Sequence, residues 1–208
     1  MHNQAALITN GEIWDLKWSS LQIRRFPFLA AVDGGLNHCF SMQIKPDLLI
    51  GDLDSVLPHV LEFYSSVPCV KFPSLKDETD LALAVQILLK KGFNSIFIFG
   101  AGGNRMDHTL SNIHLMHRYS SQVKMVSEFE TSFFLKKRET LHTFPGQRIS
   151  LIPFNGPVLE VSSKGLKWEL TRQTLDSSFL SQSNCCLGEK VELTFEQGSL
   201  LCCLQNQN

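Results

Sequence analysis

A chain of 208 residues is long enough for one substantial core or two modest ones, and 43% hydrophobic residues are ordinary for a folded globular protein. With 19 basic against 20 acidic side chains the formal charge is −1, which excludes a broad polyanion-binding face and hence a nucleic-acid partner, though a nucleotide needs only a local cationic patch. No apolar run approaches the roughly 18 residues of a membrane span, and the polar start MHNQ opens no secretory h-region, so no membrane association and a cytoplasmic location are expected. The six cysteines lack the two-residue gap of a metal knuckle and read as reduced, mostly structural thiols.

In chain order, residues 5–9 form the first expected strand, closed by the turn pair Asn10 and Gly11. Residues 28–32 form the next and run into Asp33, Gly34 and Gly35. That glycine pair lets backbone approach a ligand, and Asp33 can accept from a hydroxyl or simply cap the helical turn that follows. Leu48, Leu49 and Ile50 read as a buried strand that stops at Gly51, with Asp52 and Asp54 following at once. Two carboxylates one residue apart can share a divalent cation if the loop curls them together; an acidic turn is the plainer reading.

Residues 58–67 are weakly helical and 70–72 suit a short strand. From Thr79 the positions Leu81, Ala84, Val85, Leu88 and Leu89 recur at helical spacing up to Lys90, Lys91 and Gly92. Asp77 or Thr79 caps that helix, Asp80 lies in its first turn, where a carboxylate is favoured anyway, and Lys76 either reaches a phosphate or stays solvated. A buried strand at 96–99 ends in GAGGNRMDHTLSNIHLM, residues 100–116. Gly100, Gly102 and Gly103 permit a close loop around an anion, Arg105 adds a guanidinium suited to phosphate oxygens, and Asp107 and His108 precede a helix. The spacing is neither that of a dinucleotide-binding fingerprint nor, without GKS or GKT, that of a Walker motif. Asp33, Asp52, Asp54, Asp80 and Asp107 thus all follow apolar runs or open helices, where ligands meet an open α/β sheet.

After a strand at 123–126 the pattern changes to brief runs separated by Gly, Pro and Ser. Strands are expected at 133–135, 141–144, 149–152, 158–161, 166–170, 191–195 and 200–204, a compact antiparallel sandwich. The fold class is therefore α/β, an N-terminal parallel-sheet nucleotide domain over residues 1–130 followed by a small β-sandwich over 131–208.

The ordered segments AVDGG (31–35), PDLLIGDLDS (46–55), PSLKDETDLALA (73–84), GAGGNRMDHTLSNIHLM (100–116), ISLIPFNG (149–156), SSKGLKWEL (162–170) and SQSN (181–184) resemble thiamine pyrophosphokinase, also called thiamine diphosphokinase. The resemblance spans both domains. It implies a homodimer with active sites at the interface, and transfer of diphosphate from ATP to the hydroxyl of thiamine, giving thiamine diphosphate and AMP. It implies that Asp33, Asp52, Asp54, Asp80 and Asp107 surround Mg²⁺, the phosphates and the thiamine hydroxyl, with Asp52, Asp54 and Asp80 as the metal ligands. Gly34, Lys76, Gly100, Gly103 and Arg105 fall on the ATP side, and Arg105 joins the catalytic set. Ser183 and Asn184 fall on the thiamine side, in the sandwich, which becomes the thiamine-binding and dimerisation domain. Trp168 is either core or an apolar face for the thiazolium or pyrimidine. One departure is Asn104, which stands where the family's Gly-x-x-Gly-Gly-Arg segment has a glycine. A diphosphokinase for another hydroxymethyl heterocycle and a noncatalytic binder are the competing readings.

Overall fold

Short apolar runs that stop at a glycine or an aspartate build the first half of the chain. In the computed structural model, which describes residues 3–73, 78–103 and 105–207, they are strands β1 (Gln4–Ile8), β2 (Leu29–Val32), β3 (Leu48–Gly51), β4 (Cys69–Lys71), β5 (Ser95–Phe99) and β6 (Val123–Val126). All pair in parallel, in the order β4-β3-β2-β1-β5-β6. Parallel strands need crossovers, and α1 (Leu16–Ile23), α2 (Gly35–Ser41), α3 (Pro58–Phe63), α4 (Asp80–Lys90) and α5 (Met106–Arg118) lie in the connecting segments. Ala6, Ile8, Ala31 and Leu49 join Ile23, Leu36, Cys39 and Val60 in one core cluster. The alternate strand positions Ala5, Leu7, Ala30 and Ile50 are equally buried, so both faces of the sheet are covered.

Helix starts follow local chemistry. Asp15 accepts from the Trp18 amide at 2.9 Å to cap α1, and Thr79 accepts from the Ala82 amide at 3.2 Å to cap α4. Along α4 the buried face is Leu81, Ala82, Ala84, Val85 and Leu88, close to the expected stripe. No helix among the described residues is long and apolar enough to cross a membrane.

The chain divides into two compact units, residues 1–128 and 129–208. The second is antiparallel, with β7 (Glu130–Phe134), β8 (Arg138–His142), β9 (Arg148–Lys164), β10 (Gln173–Leu175), β11 (Ser181–Cys185), β12 (Lys190–Thr194) and β13 (Gln197–Gln205). The path β7-β13-β9-β12-β8 is joined by β10 and β11, both on β9. The expected strands 149–152 and 158–161 are one 17-residue strand, because Asn155, Gly156 and Glu160, all at positive φ, bend β9 instead of ending it. Its first half pairs with β11 and its second with β10 and β12, so one strand turns the corner between the layers of the sandwich. Ile149, Leu151, Val158, Val161, Val191, Leu193, Leu200 and Cys202 share the core between them.

Residues 166–170, expected as a strand, form a loop held by an isolated Leu166–Cys186 bridge. Gly165, at φ 100° and packed so that a Cβ would lie 2.5 Å from the Lys190 carbonyl, interrupts the strand pattern there. The cysteines are free thiols, and burial pushes Cys39 up to about 12, so it stays protonated and inert at neutral pH.

Candidate active site

The strand order reverses at β1, which has β2 on one side and β5 on the other. At such a switch point the connections leave the carboxyl edge in opposite directions and open a crevice. The loops after β1 and β5 are tied there backbone to backbone: the Gly11 amide donates to Gly100 O at 2.9 Å and the Glu12 amide to Gly102 O at 2.8 Å. A Cβ on Gly11 would sit 2.1 Å from Gly100 O, so side chains are excluded from this seam. Asn112, on α5, donates to Ala101 O at 2.7 Å and holds the glycine loop from its far side.

A second pair of loops leaves β2 and β3. Asp33 sits at φ 46° immediately after β2 and accepts from the Leu53 amide at 3.1 Å, which draws the acidic loop towards it. The carboxylate lies over Gly51: a Cβ there would come within 1.7 Å of Asp33 Oδ1. Asp52 Oδ1 accepts from the Asp54 amide at 3.2 Å, a local turn that curls the two carboxylates onto one loop. Asp52 is half-buried and Asp54 exposed. Ser55 accepts from the Gly34 amide at 2.9 Å, while Asn37 donates to Ser55 O at 3.0 Å and accepts from the Leu57 amide at 3.1 Å. Asn37 and Ser55 thus fasten the acidic loop to the start of α2. Neither is marked by a local sequence pattern, because each acts about twenty residues away in the chain.

Asp80 opens α4 and Asp107 opens α5, so each stands on a segment leaving the carboxyl edge. Arg105 and Asp107 form a bidentate pair, Nε to Oδ1 at 2.9 Å and Nη2 to Oδ2 at 2.6 Å, with side chains 68% and 64% exposed. The hydrogen bond from the Arg105 guanidinium holds the Asp107 carboxyl well below the usual carboxylate range, so it stays ionised at neutral pH. Lys76 and Asn104 lie outside the described residues.

The carboxylates offer oxygen donors only, the set a hard divalent cation takes. Among the described residues no three acidic, His or Cys groups converge into a ready cage, so Asp52, Asp54 and Asp80 are not a preformed three-carboxylate site. The donor set still fits Mg²⁺, which keeps several waters and is commonly held by one or two carboxylates together with substrate phosphates.

In the second unit Trp168 is 58% exposed, so it is not core. The Lys167 ammonium lies 4.8 Å from its ring centroid. Ser183, at φ 56° in a β-bulge of β11, donates its amide to Ser150 Oγ at 3.0 Å. Asn184, 3% exposed, holds the Trp168 backbone.

The family model described as "Thiamin pyrophosphokinase, catalytic domain" matches residues 20–127, more than half of the chain, and "Thiamin pyrophosphokinase, vitamin B1 binding domain" matches 134–200. The chain belongs to the thiamin pyrophosphokinase family. Among curated relatives it is 28% identical to thiamine pyrophosphokinase 1 of Oryza sativa subsp. japonica, covering 86% of this chain and 77% of that protein. It is also 28% identical to thiamine pyrophosphokinase of Bacillus subtilis, over 82% and 83%. The fold matches the crystal structure of the Bacillus subtilis protein with TM-score 0.85 at 22% identity, covering 99% of this chain and all of that one. It matches yeast thiamin pyrophosphokinase with TM-score 0.86 at 17% identity, over 98% and 86%.

Proposed function

We propose that the protein is a thiamine diphosphokinase, transferring diphosphate from ATP to the hydroxyl of thiamine with Mg²⁺ as the metal. Family membership over both units carries the reading. The hydroxyl oxygen forms a bond to the β-phosphorus of ATP, the bond between that phosphorus and the α–β bridging oxygen breaks, and AMP leaves with the bridging oxygen. The hydroxyl proton passes to solvent or to an adjacent phosphate or carboxylate oxygen.

Asp52 and Asp54 are the residues that would hold Mg²⁺, with Asp80 supporting them from the first turn of α4; the ion would neutralise phosphate oxygens during transfer. Asp33 positions the acidic loop by holding Leu53. The glycine loop at 100–103, with Gly34, lines the ATP side, where Arg105 and Lys76 offer positive charge to phosphate. For Arg105 to serve a phosphate it exchanges the Asp107 carboxylate for phosphate oxygens, which frees Asp107 beside the acceptor. Diphosphate transfer needs no dedicated strong base, so Asp107 acts by aligning the thiamine hydroxyl, and the rate comes from alignment and charge neutralisation.

Residues 1–130 thus serve as the ATP-binding catalytic domain and 131–208 as the thiamine-binding and dimerisation domain, with Ser183 and Trp168 towards thiamine. The working form is a homodimer in the cytoplasm with its active sites at the interface; sedimentation at the mass of a single 23.5 kDa chain under assay conditions would contradict that. Diphosphate transfer is tested by the nucleotide left behind. Thiamine-dependent release of AMP is expected, and release of ADP instead would mean transfer of a single phosphoryl group.

A further inference from the structure

The loop at 165–170 carries an exposed indole on an unusually well-fastened backbone. Leu166 and Leu170 are buried on either side of Trp168. The Glu169 carboxylate accepts from the Gly165 amide at 2.7 Å and the Leu166 amide at 3.2 Å, and also from the Ser163 hydroxyl, which itself accepts from the Leu170 amide at 2.9 Å. The Lys167 amide donates to Cys185 O at 2.8 Å.

Asn184 completes the clamp from β11. Its Oδ1 accepts from the amides of Trp168 at 3.2 Å and Cys185 at 2.8 Å. Its Nδ2 donates to Trp168 O at 2.8 Å and Ser181 Oγ at 3.3 Å. A primary amide has two donors and two acceptor sites, so Asn184, at 3% exposure, has nothing left to offer a ligand. The β-bulge between Ser181 and Asn184 turns this side chain inward and leaves Ser183 exposed.

We infer that Asn184 is a positioning residue for thiamine use: it touches no substrate and acts by gripping the Trp168 peptide on both its N–H and C=O, so that the exposed indole meets the acceptor already ordered. The inference rests on the reading of Trp168 as an acceptor contact. Holding the ring in place before binding removes the ordering cost that a mobile loop would impose on each encounter. ATP binding, which depends on the other unit, is left unaffected.

The test uses the full chain carrying Trp14→Phe and Trp18→Phe, so that Trp168 is the sole tryptophan of the three. Asn184→Ala is expected to raise the KM for thiamine roughly tenfold while the KM for ATP stays within about twofold, and to add a nanosecond component to the Trp168 fluorescence anisotropy decay. Asn184→Ser adds no buried charge and is too short to reach both the Trp168 N–H and C=O, so an effect between those of the unsubstituted chain and Asn184→Ala is expected; it also serves if Asn184→Ala fails to fold. In a Trp168→Ala background, Asn184→Ala should add nothing further to the thiamine KM. A further rise there would overturn the inference, because Asn184 would then act on the acceptor itself. If Trp168→Ala raises the thiamine KM and neither Asn184 variant does, the positioning role fails alone. If Trp168→Ala leaves thiamine kinetics unchanged, the acceptor role of Trp168 fails and the inference with it. Absence of any thiamine turnover in the unsubstituted chain would instead refute the proposed function.

Discussion

Asp52→Asn is expected to lower kcat for diphosphate transfer by about 10²–10³-fold, the order seen when one well-placed electrostatic contact to a transition state is removed. Asparagine matches aspartate in size and keeps a carbonyl oxygen, so it can still accept from the Asp54 amide and preserve the turn. What it loses is the charge that would hold a cation. Asp54→Asn removes charge from the exposed partner on the same loop and should be nearly as damaging. Raising the Mg²⁺ concentration should restore part of the activity in either variant, since a weakened metal site refills by mass action. Circular dichroism and melting should remain close to those of the unsubstituted chain. Full activity in both purified variants would remove these residues from the centre of the mechanism.

Gly51→Ala should disable the same loop by a different route. Gly51 sits at φ 134°, which L side chains rarely adopt, and its missing Cβ leaves the space that Asp33 Oδ1 occupies. A methyl there drives the carboxylate away and breaks its hydrogen bond from the Leu53 amide. Backbone strain costs about 1–3 kcal/mol and the lost hydrogen bond about 1 kcal/mol. For a chain of this length that corresponds to a fall in Tm of roughly 5–10 °C, with activity lost in parallel as the acidic loop shifts. The collision also has a partner that can be removed. In an Asp33→Ala background the added cost of Gly51→Ala should shrink to the backbone strain alone, a non-additivity readable by thermal melting. An unchanged Tm in the single variant would show that Asp33 does not pack on Gly51 as described.

The parallel sheet was legible because β1, β2, β3 and β5 are short apolar runs with sharp exits, and α4 because its stripe and its Thr79 cap agree. The carboxyl-edge aspartates were legible for the same reason: a carboxylate directly after a buried strand has few other places to go. What escaped the sequence were features set by distant partners. β9 was split in two because Asn155 and Gly156 carry turn chemistry that the structure uses for a bend within a strand. Trp168 was assigned to a strand because Leu166, Trp168 and Leu170 alternate with the charged Lys167 and Glu169, although Gly165 ends the strand and leaves the indole in a loop. Asn184, read as a ligand contact, spends its whole hydrogen-bonding capacity on its own chain. The Asp15 cap of α1 did leave a local signal, an aspartate three residues before Trp18, which its weakly apolar helix obscured.

The claim on which all of this depends is that thiamine receives two phosphates from ATP. The most direct measurement is mass-resolved product formation by the purified chain given thiamine, ATP and Mg²⁺ alongside other heterocycles bearing a hydroxyalkyl group, with thiamine or Mg²⁺ omitted in turn. Thiamine diphosphate is the expected product, absent from both omissions. Two phosphates on another acceptor while thiamine stays unmodified, or no product from a folded chain that binds ATP, would contradict it.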